Sequence, residues 1–348
     1  MSDALVQAVL KARSDDRKLS ITGLGSKKAW LGEQSGEMLT TADYSGIVDY
    51  QPGELVVTAR AGTPLKHLQL ELEQGQQLLG ADPPQYSGSG TVGGAVAAGF
   101  SGPGRVWCGS MSDAVLGVTL LTGRGEVLKF GGQVMKNVAG YDVSRLLTGS
   151  FGALGLLLEV SLRVRPKSEN ELTLQLELDG SSAIQRLRTL ALKPYPITAT
   201  FWQAGVLSIR LSGPETALHS ARQIIGGEAL PEADNFWTAI RDHQYEFFRP
   251  ASPDHHGRLV RVIVPPASPM PADDWPAAVE WGGGLRWFWH EEVATVQQYA
   301  SEHGGWCWAY GEPVPISAGL RSITQEVKRA LDPDSVFVAP WAESQHAD

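Results

Sequence analysis

The sequence predicts an α+β protein of two domains, residues 1–166 and 167–348, on three observations. Period-two apolar runs alternate with capped helical stripes along the chain; 43% of the 348 residues are apolar against 19% charged; and the rhythm of elements changes after Pro166. That length and balance let each half bury a core of its own.

In chain order, Ser2 or Asp3 caps a first helix with Leu5, Val6, Val9 and Leu10 on one side, and the strand-like LSIT runs into the turn GLGSK. ELVVTARAG reads as a strand, Thr63 as a helix cap with Pro64 at the first helical position, Leu65, Leu68 and Leu72 as a buried stripe, and Gly75 as the stop. AVLGVTLLT turns at GRGE into EVLKF, a hairpin. In LLLEVSLRV, Leu156, Leu158, Val160, Leu162 and Val164 alternate with Leu157, Glu159, Ser161 and Arg163, as in a half-buried strand. Beyond RPKSE, ELTLQLELDG puts Leu172, Leu174, Leu176 and Leu178 on one face. A helix over about Ser182 to Leu192, the strands ITATFW and VLSIRL, and a helix from Pro214 to Gly226 complete a β-α-β-β-α order. LVRVIVPP, GLRWFWH, the helix EEVATVQQYASEHGG, WCWAYGE and the helix GLRSITQEVKRALDP extend it into an antiparallel, ferredoxin-like sheet covered by helices, with PPASPMPADDWP as a Pro-rich surface connection.

The net charge of -9 argues against nucleic acid or an anionic membrane as main partner, because both select for concentrated Lys and Arg. Cys108 and Cys307 form neither a disulfide framework nor a zinc pattern. The first residues lack an apolar core like that of a secretory leader, and no run approaches the ~18 apolar residues of a membrane span. The expectation is a cytoplasmic protein without its own anchor.

Of 39 glycines, 18 lie between Gly80 and Gly155, so close backbone approach is concentrated there and a ligand is expected in that part of the chain. Lys136, Asn137, Tyr141 and Asp142 stand beside the glycines Gly149, Gly152 and Gly155. SGSGTVGGAVAAG holds a literal G-x-G-x-x-G at Gly88, Gly90 and Gly93, with Asp113 further on. A dinucleotide fingerprint leaves a buried strand, whereas ADPPQYS precedes this one and Asp113 comes before a strand it should end. What remains is an anion nest beside a slot made by the small Ala95, Ala97 and Ala98, or a tight turn packed on a sheet. No G-x-S-x-G elbow occurs, and the side-by-side residues Asp254–His256 and His290–Glu292 do not converge on a metal, so none is expected. Alternation of Trp287 with Trp289 and of Trp306 with Trp308, near Trp281, fits a filled sheet face, as core or subunit interface.

The segments TGLGSK, SGSGTVGGAVAAG after a Pro-Pro pair, CGSMSDAVLGVTLLTGRGEVL and KNVAGYDVSRLLTGSFGALGLLLEVSLRV resemble, in this order, the two-lobed FAD-binding domain of the vanillyl-alcohol oxidase and p-cresol methylhydroxylase type. With GPGR, NFWTAIRDHQYEFF, LVRVIVPP and EWGGGLRW added, nearly the whole chain is similar to the FAD-binding E subunit of bacterial glycolate oxidase. The resemblance implies that Gly23, Leu24, Gly25, Ser26 and Lys27, with Gly90, Thr91, Gly93 and Gly94, wrap the FAD pyrophosphate. It implies further that Gly109, Ser110 and Asp113 lie along the flavin, that Asn137, Tyr141 and Asp142 shape the pocket wall, and that Gly149 to Leu157, with Gly152, Leu154, Gly155 and Leu156, line the cofactor through the main chain. Leu24, Asp82, Ser112 and the C-terminal VAPW depart from the family's usual residues. Ser26 stands where covalently linked relatives carry histidine, and Cys108 lies outside the usual cysteine motif, so non-covalent FAD is expected. By the same resemblance the chain serves a complex that oxidises glycolate to glyoxylate, with a second FAD-containing subunit and an iron–sulfur subunit as partners and the inner membrane reached only through them. Arg210, Arg249, Arg258, Arg261 and Arg286 are candidate carboxylate clamps, and no histidine stands out as a base. A self-contained FAD oxidoreductase and a structural subunit with a degenerate flavin site stay open as alternatives.

Overall fold

The computed structural model describes residues 2–86, 88–132, 142–250, 257–271, 275–316 and 318–341. Its chain divides into two units: 1–101 with 110–167 and 311–348, and 102–109 with 168–310. The described residues 311–316 and 318–341, which the sequence reading runs on with the second domain, cluster with the first unit.

In the first unit, five strands lie in the spatial order Ile47–Gln51, Val56–Arg60, Leu156–Arg163, Val115–Leu121, Val127–Gly131, every pair antiparallel. The last two form the expected hairpin. Leu156–Arg163 is central, and apart from Glu159 and Arg163 it is buried, whereas alternation alone predicts one wet face. The physical reason is that a core covers each face of the strand, and a bulge redistributes the leucines between the two. Thr119 pairs with Glu159 but Leu120 with Leu157, so one residue is skipped and the faces exchange. Leu156 and Leu158 therefore join Leu5, Val9, Ala12 and Phe337 in one core, while Leu157, Val160 and Leu162 join Leu65, Leu68 and Leu72 in the other. The Thr63 cap is corrected too: Pro64 precedes helix Leu65–Gln74 with no side-chain cap, because the Thr63 hydroxyl is engaged by Gly46, accepting its N–H at 2.9 Å.

Strand Leu19–Thr22 pairs in parallel with Glu37–Thr40, and Leu19 also bridges Phe337: its N–H donates to Val336 O at 2.7 Å and its carbonyl accepts from Val338 N at 2.9 Å. The C-terminal helix Ala318–Leu331 leads into that bridge through Asp332, whose carboxylate accepts from the N–H groups of Val336 at 2.9 Å and Phe337 at 2.8 Å.

The second unit holds one eight-stranded sheet in the order Glu228–Ala229, Asn170–Glu177, Val206–Gly213, Ile197–Gln203, Ala277–Glu280, Leu285–His290, Arg258–Ile263, Trp306–Ala309, again antiparallel throughout. The β-α-β-β-α order appears as read, with Asp179 capping helix Gly180–Ala191 through Ser182 N and helix Glu215–Ile225 packing beside it. Helix Val293–Glu302 covers the strands of the later round. Strand Ala277–Glu280, only four residues long, had no signal of its own in the sequence, yet it joins the two rounds into one sheet. The Pro-rich connection lies at the surface as read, with Pro265, Pro266, Ala267 and Pro269 exposed, and it is held there. Arg286 is fully buried and donates to Pro269 O at 2.6 Å, to Ser268 O and to Gly283 O at 3.2 Å, which pins that connection to the sheet.

Close packing around Asp332 is testable. Gly123 N–H donates to Leu331 O at 3.0 Å, and a Cβ at Gly123 would fall 1.9 Å from Asp332 Oδ1. Gly123→Ala is expected to destabilise the chain by about 2 kcal/mol through overpacking. Urea unfolding of the variant beside wild type checks it, and equal midpoints would contradict the packing described.

Candidate functional site

The turn that leaves strand Leu19–Thr22 runs through Gly25 at φ +76°, and Lys28 N–H closes it on Gly25 O at 3.1 Å. Among the described residues, the N–H groups of Leu24, Gly25 and Ser26 donate to no protein acceptor. Three consecutive main-chain donors in a turn that passes through a left-handed glycine make an anion nest. Lys27 adds positive charge: only 7% exposed, its Nζ lies 3.4 Å from Ser26 Oγ and 5.4 Å from the centre of the Tyr86 ring.

These residues form one wall of a cleft of about 140 Å³, whose other wall is Thr91, Gly94, Ala97, Ala98 and Phe151. A smaller cavity of about 50 Å³ shares Gly23, Gly94 and Phe151 with it and adds Gly93, Gly152 and Gly155. Closeness demands glycine here. A Cβ on Gly23 would meet Thr91 Oγ1 at 2.3 Å, and one on Gly93 would meet Ala61 Cβ at 2.6 Å.

The two walls do different work. At the start of helix Val92–Ala98, Val92 N–H donates to Thr63 O and Gly93 N–H to Ala61 O, each at 2.8 Å, and Gly94 N–H to Thr91 Oγ1 at 3.1 Å. Those donors are spent inside the fold, so Thr91–Gly94 supplies shape and the nest at Leu24–Ser26 supplies donors. Dense negative charge with a narrow profile, such as a diphosphate, suits that pairing. The residues present therefore fit the pyrophosphate of FAD.

Other sequence candidates sit elsewhere. Gly90 faces inward, its carbonyl accepting from Leu65 N at 2.9 Å. Leu154 and Leu156 are buried in the two cores. Ser110 and Asp113 form a reciprocal capping box at helix Met111–Ala114, and Gly109 ends helix Arg105–Cys108 in the second unit. Asp142 caps Val143–Leu146 and pairs with Arg145, while Lys136, Asn137, Tyr141 and Asp254–His256 lie outside the described residues. Sequence reading missed Phe151, which closes the cleft at φ +50°, a strained backbone for an aromatic residue. Its signal was an aromatic residue set between the glycines Gly149 and Gly152.

In the second unit, Glu280 is 4% exposed and accepts from Trp287 Nε1 at 2.7 Å. Burial pushes its carboxyl up to about 7, against the opposing pull of that hydrogen bond and of Arg261. Beside it the His243 ring stacks on Phe248 at 4.3 Å and meets Trp287 edge-on at 4.8 Å; burial, then Arg261, push it down to about 3, so it is neutral near pH 7. Of the candidate clamps, Arg286 is committed to main-chain carbonyls and Tyr299, and Arg210 donates to Thr198 at 3.1 Å. Arg249 and Arg258 are exposed, and Arg261 lies over the Trp281 and Trp306 rings at 5.3 and 5.7 Å. Trp281, Trp287 and Trp308 are core, whereas Trp306 on the edge strand is 46% exposed. No cluster of metal-ligating side chains occurs among the described residues.

Residues 2–131 match the FAD binding domain family. The chain is 41% identical to glycolate oxidase subunit GlcE of Escherichia coli (strain K12), over 97% of this chain and 95% of that protein. It is 30% identical to a D-lactate dehydrogenase of Anaerostipes hadrus over 49% of this chain and 36% of that one. In structure it is similar to an alkyldihydroxyacetonephosphate synthase, with TM-score 0.69 and 14% identity over 98% of this chain and 75% of that one, a likeness of fold.

Glu280 generates a pH prediction. Its carboxyl titrates higher in the folded chain than in the unfolded one, so its contribution falls as pH rises from about 4.5 through about 7. Glu280→Gln removes that decline while leaving the His243 contribution in place. The variant is expected to match wild type near pH 4.5 and to exceed it above pH 7 by up to about 3 kcal/mol. Urea unfolding at both pH values reads this, and an unchanged difference would place the carboxyl in water.

Proposed function

The chain belongs to the family of the FAD-binding E subunit of bacterial glycolate oxidase, and from that membership we propose that it holds FAD non-covalently within a complex that oxidises glycolate to glyoxylate. The observation that carries the cofactor assignment is the nest at Leu24–Ser26, three main-chain donors beside the buried Lys27 and across a narrow cleft from Gly94. In this reading Gly23, Leu24, Gly25, Ser26 and Lys27 take the pyrophosphate, and Thr91, Gly93, Gly94, Gly152 and Gly155 keep the opposite wall low enough for it. Ser110, Asp113, Asn137 and Tyr141 are assigned to the flavin side, and residues 1–166 to the FAD-binding domain. When bound, FAD supplies the two-electron acceptor for oxidation of a 2-hydroxy acid. Ser26 has no chemistry for a stable flavin linkage, which supports non-covalent binding.

Likeness to an oxidase subunit supports partner subunits for this chain. We assign as partners a second FAD-containing subunit and an iron–sulfur subunit that takes the electrons onward. No helix among the described residues is long and apolar enough to cross a membrane, and we place any membrane association with those partners. Catalysis by the complex rather than by this chain alone is favoured by the side chains: Arg286 is spent on carbonyls and His243 is enclosed by aromatic rings.

Gly94→Val tests the cleft. A Cβ there meets only Thr91 Oγ1, at 3.0 Å, so the fold should survive while the branched side chain fills the space facing the nest. FAD retention is expected to drop at least tenfold with cooperative unfolding preserved, and full FAD content would show that the cleft is not the cofactor site. A second assay measures glycolate-dependent dye reduction by the chain alone and after co-expression with the other two subunits. Activity is expected only on co-expression; full activity of the isolated chain would promote a self-contained oxidase, and a chain that takes up no FAD would identify a structural subunit.

A further inference from the structure

Lys328, near the end of helix Ala318–Leu331, is remote in sequence from every glycine segment that forms the cleft. Its ammonium donates to Ala153 O at 2.8 Å and to Phe337 O at 2.7 Å, and pairs with Asp332. Asp332 is 1% exposed and accepts from the N–H groups of Val336 and Phe337. Each acceptor belongs to a segment that leads to the cleft. Ala153 lies in the turn that carries Phe151 and Gly152, and that turn hangs from helix Val92–Ala98 by Phe151 N–H on Ala97 O at 2.8 Å and Gly149 N–H on Val96 O at 3.1 Å. Phe337 bridges Leu19, the first residue of the strand that delivers the nest at Leu24–Ser26. A Cβ on Gly152 would meet Ile21 of that strand at 3.2 Å, so the two segments already touch.

We propose that Lys328 and Asp332 are positioning residues of the FAD cleft: one part-buried ammonium, paired with a buried carboxylate, holds the Phe151 turn and the Leu19 strand at the spacing that the diphosphate requires. The inference rests on the FAD reading above and names residues that touch neither cleft wall directly. Held from both sides, the gap between Phe151 and the nest has one width. Released, the turn and the strand keep their own hydrogen bonds but lose their common anchor, so the pocket loosens before the fold is lost.

Because removing one partner would strand a buried charge, the test uses the paired variant Lys328→Met with Asp332→Asn, which leaves no ion behind and keeps an amide oxygen for one of the two N–H groups of Val336 and Phe337. FAD titration by flavin fluorescence, beside urea unfolding, is expected to show at least tenfold weaker binding with a cooperative transition retained. Equal FAD affinity in variant and wild type would overturn the proposal and leave the FAD reading standing. A wild-type chain that binds no FAD would overturn both. Should the variant not fold, amide hydrogen exchange of the wild-type chain decides. Linkage requires that a brace which favours FAD is itself tightened by FAD. Exchange of the Val336–Val338 and Phe151–Ala153 amides is then expected to slow on adding FAD, and unchanged exchange at both would overturn the proposal.

Discussion

A part-buried ammonium satisfied by two main-chain carbonyls and one carboxylate is the constraint on which the first unit depends. Lys328 loses hydration on burial, which pushes its pKa down, and the Asp332 hydrogen bond and charge pull it back. Such a group is tolerable only when all its partners are in place at once, because each one missing leaves a charge or a carbonyl unsatisfied. Asp332 and Phe337 follow Lys328 closely in the chain whereas Ala153 is far from it, and all must be in position together. Residues 336–338 thereby become the neighbours of the first strand, and Gly123 leaves room for the carboxylate.

From that framing follows a division of labour in the cleft. A helix start and a glycine turn both offer N–H groups, and the fold spends one set to build itself while leaving the other available. The helix start at Val92–Gly94 is welded to residues 61–63 and to its own cap, which buys rigidity. Among the described residues the N–H groups of Leu24–Ser26 make no such bonds, and the turn is the part able to meet an anion. Glycines on the rigid wall are required by close approach, as at Gly93 against Ala61, whereas Gly25 is required by its positive φ.

The second unit handles polar groups in the opposite way. Its sheet buries Arg286 among neutral acceptors and Glu280 under one indole N–H, so charge is contained, with Phe288 and Tyr299 packed on the side of Arg286 and Trp287 on the side of Glu280. Arg261 lies between the Trp281 and Trp306 rings, leaving Trp306 as the half-exposed end of that series on the edge strand. An edge strand that ends in exposed Trp306 and Tyr310 is the kind of surface subunits use, in keeping with a chain that works among partners.

The sequence by itself determined the element types, most of their order and the glycine segments of the cleft, because period, caps and glycine spacing are local properties of neighbouring residues. The hairpin at GRGE, the Leu65, Leu68, Leu72 stripe and the β-α-β-β-α order were all legible in this way. Tertiary structure decided what depends on pairing across long separations. Cores packed on both faces buried an alternating run as a central strand, and a bulge against the partner strand divided its leucines between them. The Thr63 hydroxyl, a cap by local rules, was claimed by Gly46, and the four-residue strand Ala277–Glu280 existed only because two longer strands flank it. Which N–H groups stay available, and that Lys328 reaches Ala153 across 175 positions, follow from hydrogen bonds that no local pattern encodes.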